Sequence, residues 1–166
     1  MNDVVIRNAG PADIPIIQEL AELIWWPTYS PIVAPEQIRF MLDLIYSSAA
    51  LEKVMQEGTQ RFLLLQDDNG YQGFAAFGVR AEDDTIFKLH KLYIDTRNQG
   101  KGYGKMLINE IKTRLRQNGI RTLDLNVNRH NKAKSFYEKL GFVVIKEEDV
   151  SIGPYWMNDF VMRLTF

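Results

Sequence analysis

The sequence predicts an α/β (α+β) chain: a mixed, mostly antiparallel central sheet of about seven strands with helices on both faces. Three observations carry this. The apolar period alternates between helix and strand spacing, giving the order β-α-α-β-β-β-α-β-α-β-β. Two turn sequences, Asp67-Asp68-Asn69-Gly70 and Glu82-Asp83-Asp84, join three successive strands as hairpins. A helix then separates strand residues 85–95 from strand residues 121–128, and a helical crossover demands a parallel pair.

The elements follow in order. Val4, Val5 and Ile6 open as a strand. Pro11-Ala12-Asp13 starts a helix, with Pro in the first turn and an acid at the positive end of the dipole. Ile16, Ile17, Leu20, Leu23 and Ile24 give it an apolar stripe, which Pro27 and Pro31 interrupt. Pro35-Glu36-Gln37 opens a second helix carrying Ile38, Met41, Leu42 and Ile45, and a short helix covers 49–56. Strands at 61–66, 71–80 and 85–95 come next. A helix over 102–118 is closed by Gly119, residues 121–128 alternate as a strand, and 131–140 form a short helix stopped by Gly141. Final strands span about 142–148 and 156–165. No repeat or linker divides the 166 residues, so residues 1–166 are expected to form a single domain.

Composition narrows the chemistry. With no cysteine there is no disulfide, thiolate metal site or Cys nucleophile, and two histidines, His90 and His130, exclude a His-rich zinc cluster. No metal is expected. No apolar run approaches the ~20 residues of a membrane-spanning helix, and the N-terminus lacks a secretory pattern, so a cytoplasmic protein is expected. Residues 1–96 hold seven Lys and Arg against fourteen Asp and Glu; residues 97–166 hold thirteen against seven. Such a division suits two ligands of opposite sign, or simply two solvated faces.

The most specific stretch is Arg97-Asn98-Gln99-Gly100-Lys101-Gly102-Tyr103-Gly104-Lys105, between a strand and a helix. Three alternate glycines let the backbone present successive N–H groups at a helix N-terminus, an anion site to which Arg97, Lys101 and Lys105 add charge. A P-loop needs Ser or Thr after Gly-Lys, where this chain has Met106; a dinucleotide fold needs G-x-G-x-x-G after its first strand. Both spacings fail.

Here the chain resembles the GCN5-related N-acetyltransferases. Gln99-Gly100-Lys101-Gly102-Tyr103-Gly104 fits that family's Q/R-x-x-G-x-G/A acetyl-coenzyme A signature, and Leu92-Tyr93-Ile94 looks like the strand before it. Asn131, Ala133, Phe136, Tyr137, Lys139, Gly141 and Phe142 match the family's second motif, and Ile6-Arg7, Ala9, Pro11 and Asp13 a common family start. The resemblance implies the GNAT fold and acetyl-CoA as co-substrate. It places the pyrophosphate on the amides of Gln99, Gly100, Lys101, Gly102, Tyr103, Gly104 and Lys105, and the thioester carbonyl near Leu92, Tyr93 and Ile94. Asn131 either contacts the pantetheine arm, caps its helix, or does both.

Direct transfer to an amine needs an acid for the departing thiolate. The resemblance assigns this to Tyr137, a phenol protonated at neutral pH; the plain alternative is a tyrosine continuing the Phe136/Leu140 core stripe. His90 stands where relatives carry a strand glutamate, and is either the general base or a packed strand histidine. Strand alternation groups His90 with Lys88, Leu92 and Ile94. The acidic N-terminal part suits a cationic acceptor, with Glu22, Trp25, Trp26 and Tyr29 as candidate substrate contacts or, for the tryptophans, core. Tyr155-Trp156-Met157-Asn158-Asp159-Phe160 is similar to a bacterial subgroup that acetylates polyamines. A peptide N-acetyltransferase and a non-catalytic acetyl-CoA sensor are the alternatives. No nucleic-acid or membrane partner is expected, and homodimers are common among relatives.

Overall fold

The computed structural model describes residues 3–166. In chain order the elements are β1 (Val5–Ala9), α1 (Ile14–Tyr29), α2 (Pro35–Tyr46), α3 (Ser48–Gln56), β2 (Arg61–Asp67), β3 (Gly70–Arg80), β4 (Asp83–Ile94), α4 (Tyr103–Gln117), β5 (Thr122–Asn128), α5 (Ala133–Lys139), β6 (Val143–Ile152) and β7 (Tyr155–Thr165). Short 3₁₀ turns precede α1 and follow β4. The seven strands form one sheet in the order β1-β2-β3-β4-β5-β7-β6, and the β4–β5 pair is its parallel one. Mixed pairing and helices on both faces agree with the sequence. Among the described residues, no helix is long and apolar enough to cross a membrane.

Alternate side chains of the inner strands feed two cores. Phe62, Leu64 and Phe74 pack under α1, α2 and α3 with Ile17, Ile24, Ile38 and Leu51. Leu63, Leu65 and Phe77 point the other way, to Leu107 and Ile111 of α4 and to Tyr137 of α5. β2 and β3 thus bury both faces, which explains the unbroken apolar run in β2.

The end of α1 differs from the sequence reading. Pro27 does not end α1, which continues to Tyr29. Pro27 removes a single N–H donor close to the C-terminus. The Thr28 hydroxyl donates to the Ile24 carbonyl at 2.7 Å, and buried Trp25 and Tyr29 hold the last turn by packing. The hairpin strand β6 also runs four residues past 148, to Ile152, before Gly153 turns the chain at φ +57°.

The β4–β5 junction is clamped by Asp124, whose residue exposure is 0%. Its carboxylate accepts from Arg80 Nε at 2.8 Å and from Arg163 Nε and Nη2 at 2.7 and 3.0 Å. Arg80 belongs to β3 and Arg163 to β7, so one side chain ties three strands across the parallel pair. Asp124→Asn breaks this bidentate pairing and is expected to lower stability by about 2 kcal/mol. Urea unfolding measures it; an unchanged midpoint contradicts the clamp.

Candidate active site

The parallel strands stay together only briefly. Ile86 to Leu89 of β4 pair with Thr122 to Leu125 of β5, and beyond that point their facing edges are unpaired. The cause lies in β4. Leu89 pairs with Phe77 of β3 and Lys91 with the adjacent Ala76, so His90 is an extra residue, a bulge that bends its strand. The bulge also resets the alternation. Phe87, Leu89, Leu92 and Ile94 all pack on the α4 side, whereas Tyr93 joins the α1 core and Lys91 lies over the Phe62 and Tyr46 rings. The sequence-based grouping of His90 with Leu92 and Ile94 is therefore corrected. Between the parted strands lies a cavity of about 780 Å³, which the 96–105 loop, α5 and the end of α1 also line.

The loop presents backbone rather than side chains. Gly100 and Gly102 have φ +93° and +82°, conformations that favour glycine. Gly102 is the N-cap of α4 and supplies no side-chain cap; the Met106 amide bonds the Gly102 carbonyl, leaving the amides of Tyr103, Gly104 and Lys105 without a helical acceptor. A Cβ on Gly104 would come 3.1 Å from the Phe136 ring, so this glycine lets α4 and α5 approach. Of the three cations expected here, Arg97 is held by Asp95 at 2.7 Å and Lys101 donates to Asn98 Oδ1 at 2.8 Å; Lys105 lines the cavity.

Tyr137 of α5 is buried yet lines the cavity. Burial pushes its phenol well above the ordinary value, so it stays protonated at neutral pH. Tyr29 and Tyr93 pair their hydroxyls at 3.0 Å at the end of α1, and burial pushes Tyr29 up to about 12. His90 lines the cavity as a neutral imidazole: burial, then Lys88, Lys91 and Arg80, push it down to about 3. On the sheet face opposite α4 and α5, Asn126 Nδ2 donates to Glu148 Oε1 at 3.0 Å and Asp159 Oδ2 at 3.3 Å. The two carboxylates fix the amide's orientation, and Asn126 Oδ1 and Asp159 Oδ1 remain buried acceptors without a donor.

A split lined by strand-edge amides, ending at an uncapped helix start, fits a long ligand that carries a phosphate group at one end. The comparisons with known proteins agree. Residues 30–163 match the model of the acetyltransferase (GNAT) domain. The chain belongs to the GNAT family. It is an acetyl-CoA-dependent N-acetyltransferase. An uncharacterised N-acetyltransferase of Mycobacterium tuberculosis is 29% identical over 80% of this chain and 84% of the relative. The ribosomal protein bS18 alanine N-acetyltransferase of Haemophilus influenzae is 34% identical over 50% of this chain and 56% of its own. Among solved structures, the PaiA N-acetyltransferase of Thermoplasma acidophilum, in complex with coenzyme A, superposes with a TM-score of 0.83 at 28% identity, covering 99% of both chains.

Within this acetyltransferase, the predicted coenzyme residues Leu92, Tyr93, Ile94, Gln99, Gly100, Gly102, Gly104, Lys105 and Asn131 all line the cavity, while Lys101 does not. Tyr103 reaches it only with part of its surface, since its ring is buried and its hydroxyl donates to Asp67. Asn131 Oδ1 accepts from the Ala133 amide at 2.9 Å, which is the capping arrangement.

The proposed acceptor residues divide. Tyr29 lines the cavity; Glu22, Trp25 and Trp26 do not. Glu22 is exposed, neutralised by Arg39 at 2.7 Å, and takes the Trp26 indole N–H at 3.0 Å in a groove between α1 and α2. Trp25 is 3% exposed and stacks on Tyr29 and Tyr93 with centroids 4.6 and 5.6 Å away. Sequence reasoning passed over Asn126, Glu148 and Asp159. The available signal was a polar residue at an inward position of an alternating strand, as in Met157-Asp159-Val161.

The depressed His90 pKa has a stability consequence. Between about pH 3 and the unfolded value of about 6.5, the unfolded chain binds a proton that the folded chain does not, so stability rises with pH there. His90→Gln is expected to flatten the loss of melting temperature between about pH 7 and about pH 4.5. An equal slope in both proteins contradicts a buried neutral imidazole.

Proposed function

We propose that the acceptor is a primary amine of a small, cationic, polyamine-like molecule, acetylated directly while both substrates are bound. The observation that supports it is the Asn126–Glu148–Asp159 group, whose unfilled acceptors lie on the sheet face away from the coenzyme loop. A donor-rich ammonium entering there meets two carboxylates and the Asn126 carbonyl, and the Tyr29–Tyr93 pair borders its path. Burial raises the Asp159 carboxyl above its ordinary value, the Asn126 hydrogen bond, Lys88 and Arg129 lower it in part, and an incoming cation would lower it further.

Bound acetyl-CoA supplies the activated acyl carbon as a thioester. Strand amides alternate in direction, so those among Leu92, Tyr93 and Ile94 that point away from β3 polarise its carbonyl oxygen. The acceptor's ammonium first loses a proton to solvent; as the resulting lone pair forms the C–N bond and the C–S bond breaks, Tyr137 gives its proton to sulfur. The nitrogen's surplus proton leaves to His90 directly or through water. A base held at about 3 offers weak driving force, so the pH dependence follows the acceptor's own ionisation.

The bS18 relative favours a second reading, a peptide α-amine acceptor. Thiol release across diamines, spermidine, monoamines and alanine-starting peptides separates the two. Turnover on polyamines is expected. Tyr137→Phe should cut kcat at least ~10²-fold with coenzyme KM unchanged, and Asp159→Asn should raise acceptor KM about tenfold while coenzyme KM holds. Turnover confined to peptides overturns the small-amine reading, and an unimpaired Tyr137→Phe removes the tyrosine from the acid role.

A further inference from the structure

Behind the glycine loop lies a buried polar chain that the transfer chemistry does not use. Asp67, the last residue of β2, is 6% exposed. Its Oδ2 accepts the Tyr103 hydroxyl at 2.6 Å; its Oδ1 accepts the Asn69 amide at 2.8 Å and Gln72 Nε2 at 3.0 Å. Gln72, also 6% exposed, accepts Asn98 Nδ2 with its side-chain oxygen and the Asp95 amide with its carbonyl, the latter at 2.8 Å. Asn98 in turn holds Lys101 Nζ. The β2–β3 hairpin therefore grips the loop at both limbs, through Tyr103 where α4 begins and through Gln72 where β4 ends.

Electrostatics alone argues against a carboxylate in this place. Its hydrogen bonds, the Tyr103 hydroxyl first among them, hold Asp67 below the ordinary carboxylate range, so it is ionised. A negative charge behind an anion site repels the incoming phosphate. What Asp67 contributes must be geometry: three donors converge on two oxygens, an arrangement that an acceptor-only group meets in full.

We propose that Asp67 is the positioning residue of the coenzyme loop, fixing both limbs so that the amides near Gly102 face the pyrophosphate before the coenzyme arrives. The inference rests on the coenzyme reading of the loop. It adds that affinity is set partly in the empty protein, because an ordered loop loses less conformational freedom on binding.

Calorimetric titration with coenzyme A and amide hydrogen exchange of the coenzyme-free protein test it together. Asp67→Ala is expected to weaken coenzyme A binding about tenfold and to speed exchange at residues 98–105, leaving the central strands and acceptor KM unchanged. Asp67→Asn keeps the shape: its oxygen serves Asn69 and Gln72, and its Nδ2 donates to the Tyr103 hydroxyl, which can also accept. It should restore wild-type exchange and binding within about threefold. Tyr103→Phe removes one limb without touching the hairpin and should weaken binding about threefold, which keeps the test open if the alanine variant does not fold. Wild-type exchange and affinity in Asp67→Ala and Tyr103→Phe overturn the inference, as does an Asp67→Asn protein as weak as Asp67→Ala. Wild-type protein that binds no coenzyme A overturns the coenzyme reading and the inference with it, whereas an unchanged exchange pattern strikes the anchor alone.

Discussion

Everything the molecule can do depends on a parallel strand pair that closes for four residues and then opens. Two local features oppose each other there. Asp124, tied to arginines on either side, draws β3, β5 and β7 together at the closed end. One residue beyond the last paired position, the extra residue His90 turns β4 aside. The unpaired strand edges that result would be costly in a dry interior, since every N–H and C=O needs a partner. At the wall of a cavity they are available to a ligand. The bulge thus converts a sheet fault into a row of oriented donors, and places a histidine at the apex.

The charge distribution acquires a different meaning in three dimensions. Part of the basic C-terminal half lines the cavity, through Lys105, Lys132 and Lys139, and part is paired elsewhere. Arg163 serves Asp124, Arg114 serves Glu110, Arg129 serves Asp149 and Arg97 serves Asp95. The backbone amides at the start of α4 share that cavity with these three lysines and are candidates for anion recognition. Amides held by a network keep their direction as the ligand arrives, whereas lysine side chains must be ordered first. On the opposite face Glu148 and Asp159 flank the Asn126 amide, and Lys146 pairs with Glu148.

Much of this was legible in one dimension. Element order, the glycine loop and the second motif depend on local spacing, which sequence records directly. Tyr137 sits on a core stripe and also reaches the cavity, so its packing is compatible with the acid role proposed for it. The bulge was not legible, because an inserted residue in a strand leaves no mark until its partner strand is known. Glu22 lies off the cavity because it pairs with Arg39, and Trp25 takes the core position that was the alternative for it, bracing Tyr93. Asp159 was overlooked because a single acid in an alternating strand reads as solvent-facing until the other face is seen to be packed.

The most direct test of the split as the coenzyme channel is residue-resolved amide exchange with and without coenzyme A. Protection is predicted at those amides of Leu92, Tyr93 and Ile94 that point away from β3 and at residues 100–105, on both sides of the opening, with none added at the α1–α2 groove around Glu22 and Arg39. Protection confined to that outer groove, or absent from the β4 edge while the ligand is bound, would contradict the account.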